Sequence, residues 1–233
     1  YAYHTRDALS DKSMGAILDA HPGWVSVDSA GNRFLHNRSF GDYYSLCPAN
    51  PETHEFLGRL YAEAVARYAA DGLNLDRLRF AGENFCYCPY CQGRFASDVG
   101  VELKEFAPGS VEAGRFLEWK RARLLSAVET ITNAVRAVRP GIAITSYVVP
   151  PEAMASKAQS WDLWMKKGLL DGVAVSMYGT EIRTPATRAL ELIGGDPRKL
   201  LCAISCEKET AVYLSNIEVA RGLGTLGQVT WHS

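Results

Sequence analysis

The chain is 233 residues long, enough to bury a sizeable core in one large domain or two small ones. Hydrophobic residues make up 47% and charged residues 22%, which excludes a disordered or collagen-like chain. No apolar run approaches the ~18 residues needed to cross a bilayer. With 25 Lys+Arg against 26 Asp+Glu the net charge is −1; nucleic acid is therefore not an expected partner, because phosphate backbones are bound by a basic excess.

Short apolar runs with strand character begin near Tyr1, Leu73, Ile142, Gly172, Leu200 and Gly227. Helical segments lie between them. Asn50 as N-cap and Pro51 at the first helical position open one that should bury Leu57, Leu60, Ala64 and Tyr68. The clearest helix covers about 111–138, with Leu117, Leu124, Val128, Ile131, Val135 and Val138 as its stripe and Pro140 ending it. Thr184-Pro185 and Gly194-Gly195 bracket another, and Ser215-Asn216-Ile217-Glu218 has the spacing of a capping box that opens the last. Alternation of this kind predicts parallel βα units.

Successive strand starts are 72, 69, 30, 28 and 27 residues apart. The later intervals are bare units, whereas the first two each carry roughly 40 extra residues. Most of the excess follows the strand, over about 5–50 and 80–110, the side on which loops surround a ligand in parallel α/β folds. One strand face reads Leu73, Leu75, Ile142, Ile144, Val173, Val175, Cys202 and Ile204, apolar enough to lie under helices. The other holds Asn74 and Asp76, then Thr145 and Tyr147, Ser176 and Tyr178, Ser205 and Glu207, and Gln228, Thr230 and His232. A doubly wound sheet needs both faces apolar. A small polar face suits the inside of a (β/α)8 TIM barrel. Six strands are predicted where a barrel has eight, and the chain begins at Tyr1 rather than Met. The expectation is a single domain over 1–233 lacking the first two strands, whose partner is the remaining N-terminal part of the same protein.

Asp76 and Glu207 end the second and fifth runs on the polar face, and would face each other across the mouth. Glycosidic hydrolysis needs two carboxyl groups, one to protonate the leaving oxygen and one to attack or to activate water. Each has an ordinary alternative in ion pairing, Asp76 with Arg77 or Arg79 and Glu207 with Lys208. Glu83 and Glu209 stand near enough in sequence to replace them. Tyr43, Tyr44, Tyr147, Tyr178 and Trp231 fall at strand ends or in the long loops, where rings stack on sugar faces while His4 and His232 meet hydroxyls. Asn74, Arg79 and Glu83 complete the candidate substrate-binding set. Packing of a barrel is the plainer role for any single ring.

Cys86, Cys88 and Cys91 lie within six residues. Three thiolates supply three corners of a tetrahedral zinc site, and Cys47, in the other long loop, is the candidate fourth. Such a zinc would clip two loops together and leave no position for water. Reduced structural thiols or a disulfide are the alternatives; the spacing is not that of a ferredoxin. No organic cofactor is expected.

Several blocks resemble the family-10-like glycosyl hydrolases. They are His21-Pro22-Gly23-Trp24 with Val27-Asp28-Ser29-Ala30-Gly31, Cys47-Pro48-Ala49-Asn50-Pro51-Glu52, Asp71-Gly72-Leu73-Asn74-Leu75-Asp76-Arg77, Gln159-Ser160-Trp161-Asp162 with Trp164 and Gly168-Leu169-Leu170-Asp171-Gly172, and Val175-Ser176-Met177-Tyr178. The resemblance implies a TIM barrel, a glycoside hydrolase and a carbohydrate substrate, and it favours an exported bacterial protein. The cysteine cluster resembles that of family 42 β-galactosidases, which implies structural zinc, an acid/base at Asp76 and a nucleophile at Glu207. This chain has Leu75-Asp76 where that family has Asn-Glu. The competing readings are a carbohydrate-binding barrel without activity and a hydrolase of another class with a catalytic metal.

Overall fold

A computed structural model of the chain describes residues 4–5, 14–33 and 43–232. In chain order its elements are β1 (His4–Thr5), α1 (Ala16–Ala20), β2 (Tyr44–Ser45), α2 (Pro51–Arg67), β3 (Gly72–Leu75), α3 (Pro89–Val99) and α4 (Val111–Val138). They continue with β4 (Ala143–Val148), α5 (Trp161–Lys166), β5 (Gly172–Met177), α6 (Arg183–Leu192), β6 (Leu200–Ser205), α7 (Thr210–Gly222) and β7 (Gly227–Trp231).

β3 to β7 form one parallel sheet in sequential order, an arc of a βα barrel. The run predicted to start at Tyr1 opens outside the described residues. Its described part, β1, pairs antiparallel with β2 in a separate small sheet.

Alternation sorts the sheet as expected over β3 to β6. Leu75, Ile144, Val173, Val175, Cys202 and Ile204 are buried on the side covered by helices. At β7 the assignment reverses. The register aligns Gln228 with Cys202 and Thr230 with Ile204, so both lie on the helix side. The Thr230 hydroxyl accordingly shares a 2.7 Å hydrogen bond with Tyr213 of α7. Val229 and Trp231 align with Ala203 and Ser205 on the inner face. His232, exposed one residue past the strand, has the parity of Thr230 and not of the inner ring. The cause is composition: each face of β7 mixes polar and apolar residues, so its own pattern carries no direction.

α4 spans the predicted residues, capped by Ser110, whose hydroxyl accepts the Ala113 amide at 3.1 Å. Its length buries Phe116, Trp119, Leu124, Val128, Ile131 and Val135, while Val138 at the end is 50% exposed. Asn50 caps α2 as predicted, its Oδ1 accepting the Glu52 amide at 3.0 Å. The buried face of α2 is rotated from the expected stripe, to Thr53, His54, Leu57, Gly58 and Val65, leaving Leu60 and Tyr68 exposed. Gly58 explains this. A Cβ there would stand 3.2 Å from the Ala134 Cβ, so α2 and α4 approach through the missing side chain. α7 starts at Thr210, five residues before the expected capping box. Within it Asn216 is buried and donates to the Gly179 carbonyl at 3.4 Å, tying α7 to the β5–α6 loop.

His54 donates from Nε2 to the Pro48 carbonyl at 2.9 Å, and burial drives its pKa from 6.5 to about 4. The folded value lies below the unfolded one, so the native state resists a proton that the unfolded chain accepts. Stability should be full above pH ~6.5 and drain as the pH falls towards ~4, by up to about 3 kcal/mol. Denaturant unfolding of His54→Gln across this range should show a flatter pH dependence. An equally steep curve would clear His54 of the acid sensitivity.

Candidate functional site

Asp76 follows the last residue of β3 on the inner face. Its Oδ1 accepts the Arg77 amide at 2.7 Å, and Arg77 sits in the left-handed region at φ 56°. A side chain held in that region costs about 1 kcal/mol or more, and such strain concentrates at functional sites. The Arg79 amide closes the turn on the Arg77 carbonyl at 2.9 Å. Tyr147 of β4 and Tyr178, just past β5, share a hydroxyl–hydroxyl hydrogen bond. Trp231 stacks on Tyr178 with centroids 4.7 Å apart. The Arg77 guanidinium lies over the Tyr43 ring at 5.7 Å. Burial pushes the Tyr147 and Tyr178 phenols up, the shared hydrogen bond adding to the shift at Tyr147. Tyr61 is raised to about 12 by burial and then by the Asp76 charge. The rim therefore presents neutral phenols beside Asp76.

Two loops fold onto each other beside this rim. Val27 and Phe85–Tyr87 meet through an Asp28–Phe85 bridge and a 2.7 Å bond from the Tyr87 amide to the Val27 carbonyl. Cys47, Cys86, Cys88 and Cys91 are wholly buried in the seam, their sulfurs within 4.8 Å of one another. Cys47 lies 3.5 Å from Cys91 and 3.6 Å from Cys88, far beyond a bonded pair. Tetrahedral Zn–S bonds of ~2.3 Å place sulfurs ~3.8 Å apart, so these four could hold a metal ion. Burial pushes the Cys47 thiol well up. At Cys86 burial acts the same way but is outweighed by hydrogen bonds from the other three thiols and the Val27 amide, which hold it well below its usual value. Four crowded thiols resist joint ionisation, and a cation among them would relieve that.

The β4–α5 loop closes the other side. Gln159, fully buried, accepts the Val149 amide at 2.8 Å and donates to the Leu78 carbonyl at 3.1 Å. The Phe80 amide donates to the Lys157 carbonyl at 3.3 Å, and Lys157 Nζ donates to the Ala81 carbonyl.

Of the predicted site residues, the structure gathers Asp76, Arg79, Tyr147, Tyr178 and Trp231. Asn74 lies one layer below the rim, accepting from the Thr145 hydroxyl at 2.9 Å. Tyr44 belongs to β2, and the His4 side chain is outside the described residues. Glu83 opens instead onto a cleft of about 360 Å3 shared with Tyr87, Glu105, Phe106 and Lys120. Glu207 is exposed two residues past β6, its amide on the Ser205 hydroxyl at 3.3 Å. Glu209 is the N-cap residue of α7. Sequence reasoning missed Lys157 as a wall of the mouth; its place in a loop after a strand was the available signal. Lys120 of α4 is also buried, and donates to the carbonyls of Glu83 at 3.0 Å and Phe85 at 3.1 Å. Lys120→Met strands both carbonyls and should cost about 2 kcal/mol in unfolding free energy. It should also speed thiol labelling of Cys86 and Cys88; unchanged labelling would show that the ammonium does not hold the loop.

Comparison with known proteins places these features. Residues 3–193 match the family model described as Glycosyl hydrolase-like 10. Glycosyl hydrolase DigH of Escherichia coli (strain K12) is 22% identical over 175 residues, covering 64% of this chain and 35% of the relative. The chain thus spans about a third of the length of the curated relatives it matches. Among solved structures, the catalytic domain of the Paenibacillus polymyxa β-amylase superposes with a TM-score of 0.64 at 12% identity, over 97% of this chain and 73% of that one. Gan42B, a GH42 β-galactosidase from G. stearothermophilus, gives 0.66 at 14% identity, over 98% and 40%. These likenesses establish the parallel arc as part of a TIM barrel, as the polar inner face predicts. With four-fifths of its residues inside the family model, the chain belongs to the glycosyl hydrolase-like 10 family.

Proposed function

We propose that the protein hydrolyses O-glycosidic bonds of a carbohydrate, with Asp76 as general acid/base and Glu207 as nucleophile. The observation that carries the reading is the seat of Asp76, at the C-terminal end of a barrel strand beside the Tyr147–Tyr178–Trp231 ring system. In TIM barrels that end carries the chemistry. The rings would receive the apolar face of a sugar, and the neutral phenols would donate to its hydroxyls. Glu207 follows β6, three strands along the sheet, with the inner parity of Ser205. A separation of ~5–5.5 Å between the carboxyls in the working enzyme gives retention, and ~6.5–9.5 Å gives inversion. Asp76→Asn in the full-length protein should lose at least about a hundredfold in turnover while still binding the glycan. Unchanged turnover would remove Asp76 from the role, and binding without turnover in the unmodified protein would leave a carbohydrate-binding barrel.

The four-cysteine cluster is read as a structural zinc site. Four thiolates fill a tetrahedral zinc, so the ion would brace the two loops and not activate water. Elemental analysis of purified protein should find about one zinc per chain, lost together with thermal stability in Cys88→Ser. Substoichiometric zinc with four titratable thiols would defeat the assignment.

A further inference from the structure

The chain as a whole is almost neutral, yet its mouth is basic. Arg77, Arg79 and Lys157 lie within electrostatic reach of one another, with Asp76 acting on Arg79 and Glu83 on Lys157 as the opposing acids. Tyr43, Tyr147 and Tyr178 stand close by, the last two with phenols pushed up by burial. Asp76 already accepts the Arg77 amide, and Glu83 opens onto its own cleft. Lys157 is anchored to the Ala81 carbonyl and Arg77 lies over Tyr43. Arg79 is different. It is half-buried, and its guanidinium makes no hydrogen bond or ion pair with a described residue. A half-buried guanidinium beside two like charges gains from an anionic partner. Its forked donors match a carboxylate in two parallel bonds, which a neutral hydroxyl cannot reproduce.

We propose that Arg79, flanked by Arg77 and Lys157, is a specificity residue that selects a glycan carrying a carboxylate on the sugar next to the scissile bond. This rests on the glycan-binding mouth described above and extends it to the class of substrate. The carboxylate docks on Arg79 and the pyranose faces stack against Trp231 and Tyr178, while Asp76 keeps one oxygen on the Arg77 amide.

The test uses the full-length protein carrying Glu207→Gln, which stops turnover under the hydrolase reading while keeping Arg77, Arg79 and Lys157 in place. Oligosaccharides containing glucuronate, galacturonate or mannuronate are each titrated calorimetrically beside their carboxyl-reduced, neutral twins. At least one acidic member should bind about tenfold or more tighter than its twin. Adding Arg79→Met should erase that advantage while changing the neutral twin by less than about twofold; Arg79→Lys should keep part of it. Neutral twins that match every acid, equal loss of both by Arg79→Met, or no acidic binding at all overturns the proposal. Should Arg79→Met fail to fold, salt decides the matter. Binding of the acidic member should weaken between about 50 and 500 mM salt while its twin holds constant, and salt-independent binding overturns the idea. Product analysis with unmodified protein separates the two readings. Cleavage of neutral glycans without acidic preference sinks only this proposal. Arg79-dependent binding of acids that are never cleaved sinks only the hydrolase.

Discussion

Strand register is the constraint on which the site depends. Successive side chains alternate between faces, so a slip of one residue between any two strands would exchange the polar lining for the apolar one. Two side chains pin it. Ser146, buried under the helices, donates to the Leu75 carbonyl at 2.8 Å and locks β4 to β3. Asp171 holds β4 to β5: its carboxylate accepts the Ile144 amide at 2.8 Å and its own amide returns to the Ile144 carbonyl at 2.8 Å. Arg136 of α4 reaches both Asp171 and the Gly168 carbonyl, so a helix monitors the same junction. The Gly168–Gly172 block is thus a register clamp, and Asp76, Tyr147 and Tyr178 owe their common face to it.

What could be read in advance follows from the same physics. β4, β5 and β6 were legible because one parity of each is small or polar and the other is strongly apolar. β7 was not: Trp231 and Val229 could pass for a helix-facing stripe, and only hydrogen-bonded pairing with β6 turns them inward. The extents of α2 and α4 were legible from caps and prolines, whereas the capping box placed the start of α7 too late. Helix facing was less so, because Gly58 lets α4 come close on a side that hydrophobicity alone would not choose. The four thiols were legible from spacing plus one remote cysteine. The basic wall was not. Arg79 and Lys157 are distant in sequence, and a charge acquires meaning only from the charges beside it in space.

The loop seam shows how buried polar groups are balanced here. Lys120 is placed over the Phe116 ring at 4.5 Å and donates to two loop carbonyls, while the Cys86 and Cys91 sulfurs lie close enough to favour its charged form. Burial still lowers its pKa to about 8. A set of thiolates around a divalent ion would carry surplus negative charge, which the Val27 amide on Cys86 and the nearby Lys120 ammonium would offset. The lysine and the cysteines are therefore better seen as one unit than as two. That unit fixes the loop running from Asp76 to Cys91, whose other end carries the acid and both arginines of the mouth.

This arrangement divides the labour between rigid and replaceable parts. Asp76, Tyr147, Tyr178 and Trp231 are set at strand ends by register, which tolerates no adjustment. Arg77, Arg79 and Lys157 ride on two loops stitched together by Gln159, whose amide satisfies a strand-end N–H and the Leu78 carbonyl at once. Loops of this kind change more readily than the scaffold beneath them. A change confined to 77–81 and 155–159 would thus alter the charge that the mouth accepts without moving the acid or its aromatic floor. The converse does not hold. A shift in register would displace the aromatic floor and Asp76 together and leave the cations facing nothing, so under the hydrolase and acidic-glycan proposals cleavage would be tied to the strands and preference for charge to the loops.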